Sequence, residues 1–274
     1  MHGPESVTSS TATTKSGFVE AGGYALEYTF EPPASADAPV ILLLHEGLGC
    51  AQLWGGFRTA LAEATGAGAF AYSREGYGAS SPIQLPRPLD YMRQHVRDVL
   101  PDVIAGIDAT RILLVGHSDG ATIAALYATA KPDPRVCGAV LIAPHFFVED
   151  FSIREIAKTK VAYETTDLRA KLARWHKDVD GAFRGWNDVW LNPDFGAALE
   201  MREELTGFRI PVLGMQGDAD QYGTLAQIDV LESSIGAAGG HFERVILPGI
   251  QHSPHREAPS ETIAAIKGFL DRLP

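Results

Sequence analysis

Cysteine is nearly absent from this chain. Cys50 and Cys137 are its only two, and they form neither a disulfide framework nor a metal-ligand spacing, so both are expected as reduced thiols. Long apolar runs are missing too: nothing approaches the roughly twenty residues that a helix needs to cross a bilayer. Positive charge is in deficit, with 23 Lys and Arg against 34 Asp and Glu and a net charge of −11. That balance argues against non-specific binding to nucleic acid or to an anionic membrane surface. The opening "MHGPESVTSSTATTKSG" contains no apolar stretch and does not read as a secretory leader. Residues 1–17 are expected as a mobile tail, and the protein as cytoplasmic, with a small molecule as its partner. No internal repeat is present, and the sequence carries no sign of oligomeric state.

What is present is an alternation of two periods. "FVEAGGYALEYTF" alternates around Gly22-Gly23, the signature of a β-hairpin. "PVILLLHEG", "AFAYSREGYG", "RILLVGH", "CGAVLIAPH", "PVLGMQGDAD" and "FERVILPGI" are short apolar runs that end in turn residues. Such runs suit strands buried on both faces. Between them lie segments of helical character, including 91–107, where Pro101 should bend or restart the helix. Strands alternating with helices imply a mostly parallel sheet with helices on both faces. In open sheets of this kind, ligands bind at the carboxyl ends of the strands. From Phe146 to Phe208 the character changes to charges, aromatics and helical spacing without a convincing strand.

The strand ends carry the chemistry. In "RILLVGHSDGAT", Ser118 stands between Gly116 and Gly120 where a strand turns sharply into a helix. Such a turn strains the central residue, raises its hydroxyl above the sheet edge and aims the following N–H, that of Asp119, at a bound carbonyl oxygen. A serine needs a base, and the base needs an orienting acid. His252, just past the last strand, and Asp220, just past the preceding one, are the candidates; Asp218 and His255 lie close enough to compete.

The segments "LLHEGLG", "YSREGYGASSP", "GHSDG", "QGDADQYG" and "QHSPHREAP" resemble the α/β-hydrolase fold superfamily from Phe18 to the C-terminus. More narrowly, the chain looks like bacterial hydrolases related to meta-cleavage-product hydrolases and small esterases. The resemblance implies a serine hydrolase with the triad Ser118, Asp220 and His252. It implies a core of residues 18–145 and 209–274 with a helical lid over 146–208, and no metal or organic cofactor. It also implies a second oxyanion donor from the loop after the first buried strand, the amide of Gly47. Carboxylic esters are the default substrates; thioesters, lactones and a vinylogous C–C bond share the machinery. A non-hydrolytic ligand-binding protein and a cofactor-free lyase or perhydrolase are the rival readings.

Two residues depart from the family pattern. Glu46 stands where glycine is usual after His45, and Asp119 where an uncharged residue is usual after the nucleophile. Either their carboxylates bind a polar substrate group or a water, or they turn aside to pair with Arg74, Tyr72 or a histidine such as His145. The second reading is preferred, because a carboxylate aimed at a developing oxyanion opposes catalysis. In the lid segment, Trp175, Phe183, Trp186, Trp190 and Phe195 are expected mostly to pin helices to the core. Trp186 and Trp190, with Glu46 and His145, are candidates to line the pocket. Arg174 and His176 read as a solvated face.

Overall fold

The computed structural model describes residues 13–130 and 132–274; positions 1–12 of the expected tail lie outside them. Residues 15–17, expected in the tail, belong instead to the first strand. That strand, β1 (Lys15–Ala21), pairs with β2 (Tyr24–Glu31) through Gly22 and Gly23, at φ 57° and 81°. Two consecutive positive φ values are what a two-residue hairpin requires, and glycine adopts them without a Cβ clash.

The chain continues through β3 (Val40–Leu44), α1 (Gly55–Thr65), β4 (Gly68–Tyr72), α2 (Tyr91–Asp98), α3 (Leu100–Ala105), β5 (Ile112–His117), α4 (Asp119–Thr129) and β6 (Val136–Ile142). Four helices follow without a strand: α5 (Asp150–Thr165), α6 (Leu168–Leu172), α7 (Val179–Trp190) and α8 (Phe195–Leu199). The closing elements are β7 (Val212–Gly217), α9 (Ala226–Ala237), β8 (Phe242–Leu247), α10 (Pro254–Glu257) and α11 (Pro259–Arg272). The strands form one sheet in the order β1-β2-β4-β3-β5-β6-β7-β8. The pairs β1–β2 and β2–β4 are antiparallel and all others parallel.

The continuous apolar runs have a simple cause. Successive side chains point to opposite faces of the sheet. Leu42, Leu44, Ile112, Leu114 and Leu141 enter one core, while Ile41, Leu43, Leu113, Val115 and Val140 enter the other. Helices α2, α3, α4 and α9 cover the first face, and α1 and α11 the second. Pro101 stands in the first turn of α3 and so restarts the helix that α2 ends, as the sequence predicts.

The segment between β6 and β7 is tied down unevenly. Phe183, Trp186, Trp190 and Phe195 are buried against the main core, whereas Trp175 is 41% exposed. His176 is not on a solvated face. It is buried, its Nδ1 accepts from the Gly78 N–H at 3.0 Å, and its Nε2 donates to the Leu48 carbonyl at 3.1 Å. These two bonds fasten the segment to the loops after β3 and β4. Among the described residues, no helix is long and apolar enough to cross a membrane.

Candidate active site

Strand β5 runs directly into Ser118, whose backbone sits at φ 54°, ψ −120°, and α4 begins at the next residue. For a residue with a Cβ this is a strained conformation, held only where its surroundings over-determine it. The two flanking glycines do so by close approach. A Cβ on Gly116 would lie 2.2 Å from the Gly120 carbonyl oxygen, and one on Gly120 would lie 2.0 Å from the Leu44 carbonyl oxygen. Any side chain at either position would push backbone against backbone and open the turn.

His252 arrives from the loop after β8, and its Nδ1 lies 2.9 Å from both carboxylate oxygens of Asp220. A carboxylate can only accept, so Nδ1 carries the hydrogen and Nε2 keeps its lone pair. Asp220 is further held by the Tyr222 N–H at 2.7 Å and by Gln216 Nε2 at 3.2 Å. Burial acts to raise its pKa, but His252, the Tyr222 N–H and His145 outweigh it, and the carboxyl lies below its usual range. The neighbours that competed in sequence are used elsewhere. Asp218 accepts the Gly249 N–H at 2.6 Å, and His255 is buried between Trp54 and Phe57. Ser118 and His252 line the same pocket; among the described residues no hydrogen bond joins them. Serine–base contacts are often loose without substrate.

That pocket, of about 150 Å³, is walled by Leu48, Ile156, Trp186, Trp190 and Tyr222, with Glu46, Gly47, Asp119, His145 and Thr159 also at its surface. Gly47 is held close beneath Trp186, since a Cβ there would lie 2.2 Å from the indole Nε1. His145 is buried and neutral: burial first, then His252, bring its pKa down to about 3. Its ring lies edge-on to Trp190, at 5.1 Å between centroids.

Both out-of-pattern carboxylates turn aside. Asp119 is fully buried, accepts from the Tyr91 hydroxyl at 2.5 Å and faces Arg74 Nη2 at 4.0 Å. Glu46 pairs with Arg256 Nη2 at 3.0 Å and faces His117 Nδ1 at 3.6 Å. Arg74 is thus a partner as expected, but the tyrosine is Tyr91 and the histidine is His117. Tyr72 instead bonds His95 at 2.7 Å.

A model of the alpha/beta hydrolase family matches residues 41–266, most of the chain and all of the site. The chain belongs to this family. No curated protein is significantly similar to it in sequence. Among solved structures, this alpha/beta hydrolase is similar to a serine hydrolase from Cycloclasticus zankles, at TM-score 0.76 and 16% identity over 94% of this chain and 98% of that one. It is similar to an enol-lactonase from Burkholderia xenovorans, at 0.69 and 18% over 93% and 100%. It is also similar to an esterase from Rhodococcus sp., at 0.68 and 21% over 95% and 99%. Identities this low carry the fold and not the substrate.

Sequence reasoning missed several residues around the hydrolase site. His117, inside the elbow, donates from Nε2 to the His252 carbonyl at 2.7 Å and so holds the loop that carries that histidine. Its ring also packs on those of His252 and His255, at 5.0 and 4.6 Å between centroids. The signal for His117 was its place beside Ser118. Tyr91 and Arg256, distant in sequence, gave none.

Proposed function

We propose that this protein is a serine hydrolase that cleaves small carboxylic esters through an acyl-enzyme. The observation that carries the reading is the Asp220–His252 pair, set beside a strained Ser118 in one small, mostly apolar pocket. Ser118 Oγ attacks the substrate carbonyl while His252 Nε2 takes its proton. Asp220 holds the ring in that tautomer and stabilises the imidazolium. The amides of Gly47 and Asp119 receive the oxyanion, and His252 then returns the proton to the leaving alkoxide. Water repeats the sequence on the acyl-enzyme and releases the acid.

Helices α5 and α7 serve as the lid over a core of residues 18–145 and 209–274. Support comes from Ile156, Thr159, Trp186 and Trp190, which close the pocket from that segment. A cavity this small favours short acyl groups or a compact ring. Neutral His145 offers a hydrogen bond to a polar atom of the acyl part. Lactones and thioesters present the same carbonyl and fall within the same mechanism.

The test is turnover of p-nitrophenyl acetate and butyrate by the wild type and by Ser118→Ala, with mass spectrometry after a fluorophosphonate. Turnover lost in the variant, with one adduct on Ser118, is the expected result. A wild type that neither turns over nor labels would sink the proposal and leave ligand binding as the better account.

A further inference from the structure

The oxyanion side of the site holds a buried arginine that the mechanism above does not use. Arg74 follows β4 and is 1% exposed. Its Nη1 donates to the His45 carbonyl, and its Nη2 donates to the Glu46 carbonyl at 3.1 Å. The Glu46 carbonyl also receives His45 Nδ1 at 2.7 Å and the Gly49 N–H at 3.1 Å. His45 can donate there because its other nitrogen accepts the Arg74 backbone N–H at 3.0 Å, which fixes a neutral tautomer. Three donors therefore grip one carbonyl oxygen.

That carbonyl belongs to the Glu46–Gly47 peptide. In a trans peptide the C=O and the N–H point in opposite directions within one plane. Gripping the oxygen from behind fixes where the Gly47 N–H points on the other side, and Gly47 lines the pocket. A buried guanidinium needs a counter-charge. The nearest is Asp119, at 4.0 Å, whose own backbone N–H is the other oxyanion donor. The ion pair thus bridges the two loops that each supply one amide.

We propose that Arg74, balanced by Asp119, is a positioning residue that holds the Gly47 and Asp119 amides in register as one oxyanion hole. This rests on the serine-hydrolase reading. It also gives the carboxylate after the nucleophile a purpose: it anchors the arginine that orients the opposite loop. A lysine could not replace Arg74, because a single ammonium lacks the planar fork that spans consecutive carbonyls.

The experiment compares wild type, Arg74→Lys, Arg74→Met and Asp119→Asn on one p-nitrophenyl ester. It also measures inhibition by a short alkylboronic acid, which forms an anionic tetrahedral adduct on serine, and by the product carboxylic acid. The expected kcat falls are roughly 30-fold or more for Arg74→Met, somewhat less for Arg74→Lys and about 3- to 10-fold for Asp119→Asn, with KM within about 3-fold, since losing one oxyanion donor costs on the order of 10²–10³. Boronate affinity should fall in parallel with kcat while product affinity holds. An unchanged kcat in the folded variants overturns the proposal. So does a fall in kcat with an unchanged ratio of boronate to product affinity, the mark of a purely structural residue. If Arg74→Met does not fold, Asp119→Asn, which keeps the shape and the Tyr91 bond, decides by the same criteria. A wild type without turnover or labelling defeats the serine-hydrolase reading instead, so the two failures are distinguishable.

Discussion

On one side of Ser118, Asp220 and His252 hang on the loops after β7 and β8, at an edge of the sheet. On the other side, His45, Arg74 and Asp119 stand at the ends of β3, β4 and β5, in its middle. The His252 side chain keeps 12% of its surface exposed, while those of Arg74 and Asp119 keep 1% and 0%. On the proposed mechanism the first flank passes a proton to leaving groups and water, and its base stands at the pocket wall on a loop. The second flank, as the proposed oxyanion side, has only to stay still. Preorganised donors act by not moving when charge develops, and a buried, mutually bonded set of central residues provides that. On that mechanism, proton transfer and charge stabilisation fall to different parts of one sheet.

Breaking the Asp220–His252 flank should cost most. His252→Ala is expected to lower kcat by roughly 10⁴- to 10⁶-fold, and Asp220→Asn by about 10⁴-fold, by steady-state assay on a p-nitrophenyl ester. Asp220→Asn retaining more than a tenth of wild-type activity would show that His252 is not oriented by this carboxylate.

The buried histidines sharpen the comparison through pH. His45, His145 and His255 are held neutral: burial lowers all three pKa values, that of His145 to about 3. Unfolding frees each to take a proton near its ordinary value of 6.5. The unfolded chain then binds more protons, so stability is full above about pH 6.5 and is lost as pH falls below it. Each group contributes a slope of up to about 1.4 kcal/mol per pH unit within that window. Depressed carboxyls such as Glu46 and Asp220 add to the loss only below about pH 4.5, near their unfolded values. Urea midpoints should therefore drop between pH 7 and 5, and a flat profile there would contradict the neutral burial of these rings.

The two flanks were not equally legible in sequence. The sheet could be read because strands buried on both faces must be apolar throughout, and the hairpin because Gly22-Gly23 fits only that turn. Ser118, Asp220 and His252 stand out in the sequence because each follows a strand by a short step, a one-dimensional signal. The flank around Arg74 is three-dimensional. Arg74 was considered as a partner for a carboxylate, but its grip on the Glu46 carbonyl depends on β3 and β4 lying side by side. Tyr91 reaches Asp119 from a helix 28 residues away in sequence. The burial of His176 is not legible in sequence, because its partners, Leu48 and Gly78, lie in loops 128 and 98 residues earlier.

Tyr91→Phe tests how far the rigid flank extends. The change removes the Tyr91 hydroxyl bonded to Asp119; among the described residues, that oxygen then faces Arg74. A buried acceptor deprived of its donor costs about 1–3 kcal/mol, which urea denaturation should show. Activity should fall less than in Arg74→Met. An equal fall would place the control of the loop in Tyr91 rather than in the arginine.

The smallest effect is expected at the rim. Arg256 Nη2 holds Glu46 at 3.0 Å, but the arginine side chain is 44% exposed and the glutamate 18%. An ion pair open to water contributes about 0–1 kcal/mol, so Arg256→Ala should leave the fold and the turnover of neutral esters close to wild type. Its consequence is electrostatic. Without the guanidinium, the Glu46 carboxylate loses its arginine partner, and Glu46 is among the residues that line the pocket. An anionic ester such as a hemisuccinate should then meet unscreened negative charge, and its KM should rise by about 3- to 10-fold relative to a neutral ester of equal length, which is on the order of 1 kcal/mol. The ratio should shrink with added salt, because exposed charges are screened within about 10 Å at 0.1 M ionic strength. If the ratio does not change, Glu46 faces away from bound substrate, and the rim takes no part in choosing what enters.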